Sequence, residues 1–213
     1  MSAPIVHVID DDGSMRIAVA RLLQAEGYEV RTYASAGDFL LKPPEPGPGC
    51  VVLDLQMPGP SGLELQQALQ RRPNALPVVF LTGRGDIASS VRAMKSGAVD
   101  FLTKPVEPAV LVQAVEIALQ RDRSARNDRE SAGVAQARYG RLTERERTVF
   151  HGVVAGKLNK QIADELGIAE RTVKMHRGQV MTKMEAGSLA GLVHVSDLLA
   201  HAGILSQPSA SKS

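Results

Sequence analysis

The stretch Ile5-Val-His-Val-Ile-Asp-Asp-Asp12 places five mostly apolar residues, the length of a buried strand, directly before three aspartates. Four more stretches of strand length follow along the chain: Glu29–Tyr33, Cys50–Asp54, Val78–Leu81 and Phe101–Thr103. Apart from the more polar Glu29–Tyr33, these are short apolar runs without alternation. Such runs are typical of parallel strands that are covered on both faces. The first part of the chain is therefore predicted to contain a parallel sheet.

Helical stretches lie between these strands and have their own start and stop signals. The predicted helices are Ser14–Glu26, Leu63–Leu69, a helix from Asp86 to Gly97, and one from Glu107 to about Gln120. Ser61 and Glu64 have the spacing of a capping box. Asp86 suits an N-cap, and Pro108 suits a first helical turn. Five alternating strand and helix units predict an α/β fold, a doubly wound sheet of five parallel strands with helices on both faces.

The pattern of the chain changes beyond residue 121. Residues 121–140 are polar, charged and poor in large apolar side chains, which is typical of an exposed helix extension or a hinge. Only helical patterns come next: Thr143–Val154, Asn159–Leu166, Glu170–Met184 and Ser188–Ala202. We therefore predict a first domain over residues 1–121 and a helical linker over residues 122–140. A second, all-α domain is predicted over residues 141–205, with a disordered tail over residues 206–213.

Charge and composition narrow the class of protein. Residues 1–120 carry ten basic and thirteen acidic side chains, whereas the whole chain has a net charge of +2, so the second part is basic and suits nucleic acid. Cys50 is the single cysteine, which excludes a disulfide within the chain and fits a reducing cytosol. No apolar run reaches the roughly 18 residues of a membrane helix, and no signal-peptide pattern follows Met1. We expect a cytoplasmic protein without a membrane partner.

Side chains that can handle a phosphoryl group follow four of the predicted strands. Asp10 and Asp11 follow the first strand and Asp54 ends the third, so they converge if the strand order reverses between these strands. Crowded carboxylates repel one another and need a hard cation such as Mg²⁺ or Mn²⁺. Thr82 and Lys104 stand at the ends of the fourth and fifth strands, where a hydroxyl and an ammonium can hold phosphoryl oxygens. A carboxylate can then act as the nucleophile and form an aspartyl phosphate.

Four motifs in this part carry a resemblance to a known family. They are Val8-Ile-Asp-Asp-Asp12, Leu53-Asp-Leu-Gln-Met-Pro-Gly59, Leu81-Thr-Gly-Arg-Gly-Asp86 and Asp100-Phe-Leu-Thr-Lys-Pro105. Residues 5–120 resemble the receiver domain of two-component response regulators, which has a flavodoxin-like fold. The resemblance implies that Asp54 is the phosphoacceptor. It also implies a metal site formed by Asp10, Asp11, Asp54 and the backbone carbonyl of Gln56.

The same resemblance implies a conformational switch. Thr82 would bind the phosphoryl group, and Gly83 is the small residue that leaves access to it. Phe101 would be the rotating aromatic side chain, and Lys104 would pair with the phosphate. A cis peptide is expected before Pro105, since the cis form is accessible mainly before proline. This switch should remodel the face made by Asp86–Gly97 and Phe101–Thr103. That face carries charges of both signs and can pair with its own two-fold copy, so we expect a phosphorylation-dependent homodimer. The residues expected in that face are Val91, Arg92, Lys95 and Asp100.

The segment Asn159–Met184 contains two helical patterns separated by a turn at residues 167–169, which is the plan of a helix-turn-helix. Basic side chains on its second helix suit phosphates and guanine edges, although a solvated basic face on a plain helical bundle is the alternative. Three motifs resemble the LuxR-type helix-turn-helix of NarL and FixJ family regulators: Leu142-Thr-Glu-Arg-Glu-Arg147, Gly156-Lys-Leu-Asn-Lys-Gln-Ile-Ala163 and Arg171-Thr-Val-Lys-Met-His176. The resemblance covers residues 141–203 and points to FixJ- and StyR-like regulators.

This second resemblance assigns the residues that contact DNA. Lys174, Met175 and Gly178 would point into the major groove. The other residues assigned to DNA binding, mostly at phosphates, are Asn159, Lys160, Arg171, Thr172, His176 and Arg177. Gly178 offers no side chain where a relative carries a base-reading lysine, and it costs the helix about 1 kcal/mol relative to alanine. The last helix either packs against its own domain or forms a dimer seam.

Together these features predict a phosphorylation-regulated transcriptional activator without enzyme activity. Its expected partners are a sensor histidine kinase, promoter DNA, RNA polymerase and a second copy of the chain. An aspartyl-phosphate phosphatase of the haloacid dehalogenase type is disfavoured, because Gln56 stands where such enzymes carry a second aspartate. A regulator that acts independently of phosphorylation is disfavoured because Asp54, Thr82 and Lys104 are all present.

Overall fold

The computed structural model describes residues 3–41, 47–72, 74–83 and 87–205. The predicted N-cap Asp86 and the predicted tail, residues 206–213, lie outside the described residues. The chain divides into two compact units, Met1–Ala125 and Arg126–Ser213. No helix within the described ranges combines the length and the hydropathy that a membrane span requires.

The first unit contains a parallel sheet of five strands. The strands are β1 (Ile5–Ile9), β2 (Glu29–Tyr33), β3 (Gly49–Leu53), β4 (Val78–Thr82) and β5 (Asp100–Thr103). Their order across the sheet is β2-β1-β3-β4-β5, and every neighbouring pair is parallel. The strand order therefore reverses between β1 and β3, as the position of the aspartates required. The predicted α/β fold is confirmed.

The ends of three strands differ from the prediction. Asp54 was predicted to end the third strand, but β3 stops one residue earlier because its ladder with β1 ends at the pair Ile9–Leu53. Asp54 is thus the first residue beyond the strand, and its N–H donates to the carbonyl of Ile9 at 2.9 Å. β4 is one residue longer than predicted and ends at Thr82, and β5 begins one residue earlier, at Asp100.

Five helices alternate with these strands: α1 (Gly13–Ala25), α2 (Ala36–Leu41), α3 (Gly62–Gln70), α4 (Ile87–Lys95) and α5 (Pro108–Gly140). The capping box of Ser61 and Glu64 at the start of α3 is confirmed. Asp12 is the N-cap of α1, where its carboxylate accepts hydrogen bonds from the N–H groups of Ser14 and Met15. The short helix α2 is not among the helices predicted from the sequence. The acidic loop after β1 therefore leads directly into a capped helix.

The core of the first unit lies on both faces of the sheet. On one face, α1 and α5 cover alternate strand residues; the buried set includes Val6, Val8, Cys50, Val52, Val79, Leu81, Leu23, Leu111 and Val115. On the other face, α2, α3 and α4 cover the intervening residues; this set includes Ile9, Val51, Leu53, Phe80, Phe39, Leu65, Leu69 and Ala93. Burial on both faces explains why the strands are continuous apolar runs rather than alternating ones.

Helix α5 was predicted to end near Gln120, but it continues to Gly140, and the segment predicted as a helical linker, residues 122–140, is the continuation of this helix. No proline interrupts this segment after Pro108, and its side chains are mostly good helix formers. Within the first unit, the buried carboxylate of Asp122 accepts a hydrogen bond from the N–H of Gly49 at 3.0 Å. Within the second unit, Ala135 is buried in the core. A few well-placed contacts are therefore enough to order a segment that has little apolar surface.

The second unit adds four helices to the last part of α5. They are α6 (Glu144–Val154), α7 (Asn159–Leu166), α8 (Glu170–Lys183) and α9 (Leu189–His201). Their shared core includes Val149, Phe150, Ile162, Val173, Val180, Leu192 and Leu199. The turn between α7 and α8 begins at Gly167, whose φ of 63° is left-handed and suits glycine. The prediction of an all-α second domain is confirmed. Helix α9 buries Leu192 and Leu199 and leaves Leu189 44% exposed.

Candidate functional site

The carboxylates of Asp10, Asp11 and Asp54 converge at one edge of the sheet. Asp10 follows β1 and Asp54 follows β3, which are neighbouring strands. One oxygen from each of the three side chains lies within 4.8 Å of the other two. Asp10 and Asp54 are buried, whereas Asp11 is exposed. This is an oxygen donor set with an open side, which fits a hard divalent cation.

Lys104 neutralises part of the negative charge in this pocket. Its Nζ lies 2.6 Å from Oδ2 of Asp10 and 2.8 Å from Oδ2 of Asp54. The backbone N–H of Lys104 donates to the carbonyl of Thr82 at 2.8 Å, which holds the residue at the sheet edge. The expected cis peptide between Lys104 and Pro105 is present.

The two buried carboxylates are held in the same way. Oδ1 of Asp10 accepts a hydrogen bond from the N–H of Asp12 at 2.9 Å, and Oδ1 of Asp54 accepts one from the N–H of Gln56 at 3.2 Å. In both residues the other oxygen, Oδ2, faces Lys104. Each carboxylate is thus oriented by a backbone group two residues ahead, and its outer oxygen is directed towards a cation.

Burial and the neighbouring charges have opposite effects on the pKa of Asp10, and also on the pKa of Lys104. Burial raises the pKa of Asp10 above its ordinary value, although the hydrogen bond and charge of Lys104 act in the opposite direction. Partial burial disfavours the charged form of Lys104, but its contacts with Asp10 and Asp54 outweigh this effect and raise the pKa of Lys104. Lys104 therefore remains cationic, and the ionised form of Asp10 gains from any additional cation in the pocket.

The residues predicted to form the switch lie around the same edge. Thr82 is buried at the end of β4, and Gly83 follows it at the surface. A Cβ at position 83 would find its nearest atom, Cδ of Lys104, only at 4.0 Å, so there is open space beside Lys104. Phe101 is half-buried on β5, with its ring centroid 6.0 Å from that of Phe80. The structure thus gathers Thr82, Gly83 and Lys104 at one edge and Phe101 on the adjoining strand.

Two residues that support the backbone of the acidic pocket were not predicted. Arg16 on α1 donates from a guanidinium nitrogen to the carbonyls of Asp10, at 2.5 Å, and Asp11, at 3.4 Å. Gly62 begins α3, and a Cβ there would lie 2.3 Å from the carbonyl oxygen of Asp54, so only glycine allows this approach. The capping box next to Gly62 was a signal for the helix start, but no sequence signal pointed to the contact of Arg16.

The face predicted for dimerisation lies on α4 and at the start of β5. It consists of Val91, Arg92, Lys95 and Asp100. The three helix residues are exposed, and Asp100 is half-buried. The same helix also exposes two apolar side chains, Ile87 at 83% and Met94 at 45%. The face therefore combines exposed apolar side chains with charges of both signs.

Helices α7 and α8 form the predicted helix-turn-helix. Helix α8 directs Val173 and Val180 into the core of the second unit, where both are fully buried. Lys174, Met175 and Gly178 are exposed, and the helical repeat places all three on the side opposite these valines. The residues predicted to face the major groove thus share the free side of α8.

The residues predicted to contact phosphates lie at the start of α7, at the start of α8 and in the middle of α8. Arg177 of α8 donates to Oδ1 of Asn159, the first residue of α7, at 3.1 Å. The adjacent Lys160 is exposed. Of the remaining predicted residues, Arg171 is exposed and Thr172 and His176 are half-buried. The N-terminus of a helix presents free N–H groups and favours anions, so these cationic and amide groups suit a phosphate.

A buried carboxylate joins α8 to α6. Glu146 is 3% exposed, and its Oε2 accepts hydrogen bonds from Nζ of Lys183 at 2.6 Å and from the N–H of Thr143 at 2.7 Å. Burial acts to raise the pKa of Glu146, but the bonds from Lys183 and Thr143 outweigh it and lower that pKa. The Thr143–Glu146 spacing is that of a capping box, so the sequence contained a signal for this cap but not for its ion pair with Lys183.

Comparisons with known proteins match both units. A model described as the response regulator receiver domain matches residues 6–116, and one described as bacterial regulatory proteins of the luxR family matches residues 141–196. Nodulation protein W of Bradyrhizobium diazoefficiens is 44% identical over 195 residues, which cover 92% of this chain and 86% of that protein. The transcriptional regulatory protein FixJ of Rhizobium meliloti is 42% identical over 191 residues, which cover 90% of this chain and 94% of FixJ.

Two solved structures are similar over nearly the whole chain. The response regulator StyR has a TM-score of 0.76 at 45% identity, and the match covers 92% of this chain and 99% of StyR. Full-length FixJ from B. japonicum has a TM-score of 0.56 at 40% identity, with 96% of this chain and 100% of FixJ covered.

The fold and the two sites define a class of protein in which a receiver domain is joined to a helix-turn-helix DNA-binding domain. The chain belongs to the response regulator family and has a LuxR-type output domain. It is a phosphorylation-regulated, DNA-binding transcriptional regulator of a two-component system, with a histidine kinase and promoter DNA as partners. The predictions of the family, of the fold and of a phosphorylation-regulated transcriptional regulator are thus confirmed.

Proposed function

We propose that Asp54 is the residue that accepts the phosphoryl group from the sensor kinase. The observation that carries the proposal is the position of Lys104, whose Nζ lies within 2.8 Å of Oδ2 of both Asp54 and Asp10. A carboxylate oxygen of Asp54 attacks the phosphorus of a phosphohistidine. The P–N bond breaks, its electron pair stays on the histidine, which takes up a proton, and an aspartyl phosphate forms.

The proposed cofactor is Mg²⁺, or Mn²⁺ in its place. Asp10, Asp11, Asp54 and the backbone carbonyl of Gln56 are the residues that would hold it. All are oxygen donors, and the three carboxylates exceed the single positive charge of Lys104 by two, which matches a divalent cation. When bound, the cation neutralises negative charge on the phosphoryl oxygens.

The proposed switch couples the phosphoryl group to the face on α4. The hydroxyl of Thr82 and the ammonium of Lys104 bind phosphoryl oxygens, while Gly83 leaves access to the pocket. Movement of Thr82 towards Asp54 lets the half-buried Phe101 turn inward, and Pro105 fixes the loop that carries Lys104. The face formed by Val91, Arg92, Lys95 and Asp100 then pairs with the same face of a second copy.

The proposed output is activation of transcription in the cytoplasm, where the chain binds promoter DNA as a dimer and recruits RNA polymerase. Helix α8 enters the major groove with Lys174, Met175 and Gly178 towards the bases. The residues proposed at or near phosphates are Asn159, Lys160, Arg171, Thr172, His176 and Arg177. Gln56 stands where an aspartyl-phosphate phosphatase carries its second aspartate, which favours a regulator over an enzyme.

Intact-mass spectrometry after treatment with acetyl phosphate and Mg²⁺ tests the acceptor. The full chain should gain one phosphoryl group, and chelation of the metal should prevent the gain. Asp54→Asn should gain none while keeping its unfolding temperature within a few degrees. Asp38→Asn, a change at an exposed carboxylate on α2, should gain one group as the unmodified chain does. Full phosphorylation of the Asp54→Asn protein would contradict the proposal.

A further inference from the structure

Gly178 occupies a position at which the fold does not require glycine. It lies inside α8 without a positive φ, and a Cβ placed there would have no atom within 4 Å apart from the helix's own backbone. By contrast, a Cβ at Gly152 would lie 2.9 Å from Ile162, and Gly167 has a φ of 63°, so the fold favours glycine at both of these positions. Glycine inside a helix is less stable than alanine. The fold therefore leaves room at position 178 for a side chain that the sequence does not supply.

Met175, one turn before Gly178 on α8, supplies an apolar surface beside the exposed backbone of Gly178. Met175 is 54% exposed, although methionine is usually buried. Positions three apart on a helix share a face, so Met175 and Gly178 lie side by side on the free side of α8. The free side therefore presents a flexible thioether next to bare backbone. This combination suits a small apolar group that comes close to the helix axis.

We propose that Met175 and Gly178 form a subsite for the 5-methyl group of a thymine, with Gly178 as the specificity-determining residue. The thymine methyl is the apolar group that a base edge presents in the major groove. Because position 178 has no side chain, α8 can approach that base edge closely while Met175 covers the methyl. This inference rests on the proposed insertion of α8 into the major groove.

Replacement of thymine by uracil tests the subsite, because it removes the methyl group and preserves base pairing. The full chain, treated with acetyl phosphate and Mg²⁺, first selects its preferred duplex from a randomised pool. Fluorescence anisotropy then measures the affinity for that duplex with each thymine replaced in turn. At one thymine in each half-site the replacement should weaken binding roughly fourfold, as expected for the loss of one buried methyl group.

Two variants at the subsite and one matched control complete the test. Gly178→Leu should weaken binding to the selected duplex by about tenfold and remove the sensitivity to uracil, and Met175→Ala should also remove that sensitivity. Gly133→Leu is the control, because Gly133 is also an exposed helical glycine with open space around its Cα. Both leucine variants should raise the unfolding temperature, but only the change at position 178 should alter DNA binding.

The outcomes separate the subsite from the proposed function. If a duplex is selected and Arg177→Ala weakens binding, but uracil at every thymine leaves the affinity within twofold, the subsite is wrong and the groove insertion stands. A Gly178→Leu protein that remains as sensitive to uracil as the unmodified chain also overturns the subsite. If no sequence is enriched and Arg177→Ala has no effect, the insertion of α8 itself is wrong, and the subsite is rejected with it.

Discussion

The ammonium of Lys183, the last residue of α8, donates a hydrogen bond to the buried carboxylate of Glu146 near the start of α6, with 2.6 Å between Nζ and Oε2. Glu146 also caps α6, so this one carboxylate links the end of α8 to the start of α6. The pair is asymmetric: the side chain of Glu146 is 3% exposed and that of Lys183 is 35% exposed. Removal of the lysine therefore leaves a buried charge with one partner fewer.

Lys183→Met should destabilise the second unit by about 1–3 kcal/mol, the cost of removing one hydrogen-bond partner from a buried charged group. Scanning calorimetry of the full chain measures the change in the unfolding transition of that unit. Lys157→Met is the control, because the pair of Lys157 and Glu165 is exposed on both sides and should contribute no more than about 1 kcal/mol. Equal effects of the two changes would show that burial of Glu146 does not matter.

Lys104 should compete with the metal ion for Asp10 and Asp54, because its ammonium contacts Oδ2 of both. We expect Lys104→Ala to bind Mg²⁺ roughly thirtyfold more tightly by titration calorimetry, the effect of removing one unit charge at about 4 Å from a divalent cation in water. The exposed Lys95→Ala should leave the affinity unchanged. Weaker binding by Lys104→Ala would mean that the lysine organises the carboxylates more than it competes for them.

The face on α4 should make the chain dimeric only when it is phosphorylated. Light scattering should show the molar mass double after complete phosphorylation, and Val91→Asp should prevent this by placing a charge in the apolar part of the interface. Val91 is 45% exposed, and the matched control is Ile17 on α1, which is 52% exposed. Ile17→Asp should still dimerise. An unchanged mass in the fully phosphorylated chain counts against the face.

Arg177 and Lys174 should affect DNA binding in different ways. If Arg177 neutralises a phosphate, Arg177→Ala weakens binding to target and scrambled duplexes alike and reduces the slope of log affinity against log salt by roughly 0.9. If Lys174 reads a base edge, Lys174→Ala lowers the preference for the target by about 1–3 kcal/mol. Anisotropy over a salt series distinguishes the two. A target-to-scrambled ratio that does not change in Lys174→Ala would reassign Lys174 to the backbone or to solvent.

His7 on β1 should make the first unit less stable in mild acid. Burial, with a smaller contribution from the charge of Arg31, lowers the pKa of His7 from 6.5 to about 4. Between these values the unfolded chain takes up a proton that the folded chain does not. The contribution of neutral His7 to the free energy of unfolding is therefore complete above pH 6.5. It is lost as the pH falls towards 4, by up to about 3 kcal/mol.

Urea unfolding at pH 7 and at pH 4.5 measures this effect. His7→Gln cannot take up a proton in this range, so its loss of stability between the two pH values should be smaller than that of the unmodified chain. His194→Gln, a change at an exposed histidine on α9, should leave the pH dependence as it is. An identical pH dependence in all three proteins would show that His7 is protonated equally in the folded and unfolded chains.

The sequence by itself indicated the five strands, the described helices other than α2, and the position of the acidic pocket along the chain. Apolar runs of strand length indicated the sheet, and a reversal of strand order between β1 and β3 was enough to bring Asp10 close to Asp54. The capping box of Ser61 and Glu64 and the glycine after α7 marked helix ends. All of these signals are local, because they arise from backbone conformations and from side chains a few residues apart.

Only the tertiary structure decided which side chains meet and where α5 ends. The polar segment after Gln120 is typical of either a helix extension or a hinge, and the structure shows the extension: α5 continues to Gly140, and Asp122 within it accepts a hydrogen bond from Gly49, 73 positions away in sequence. Lys104 meets Asp10 across 94 positions of the chain, and Lys183 meets Glu146 across 37. Such contacts depend on how whole elements pack against one another. A local pattern of residues contains no information about that packing, so the charge balance of each site became visible only in the folded chain.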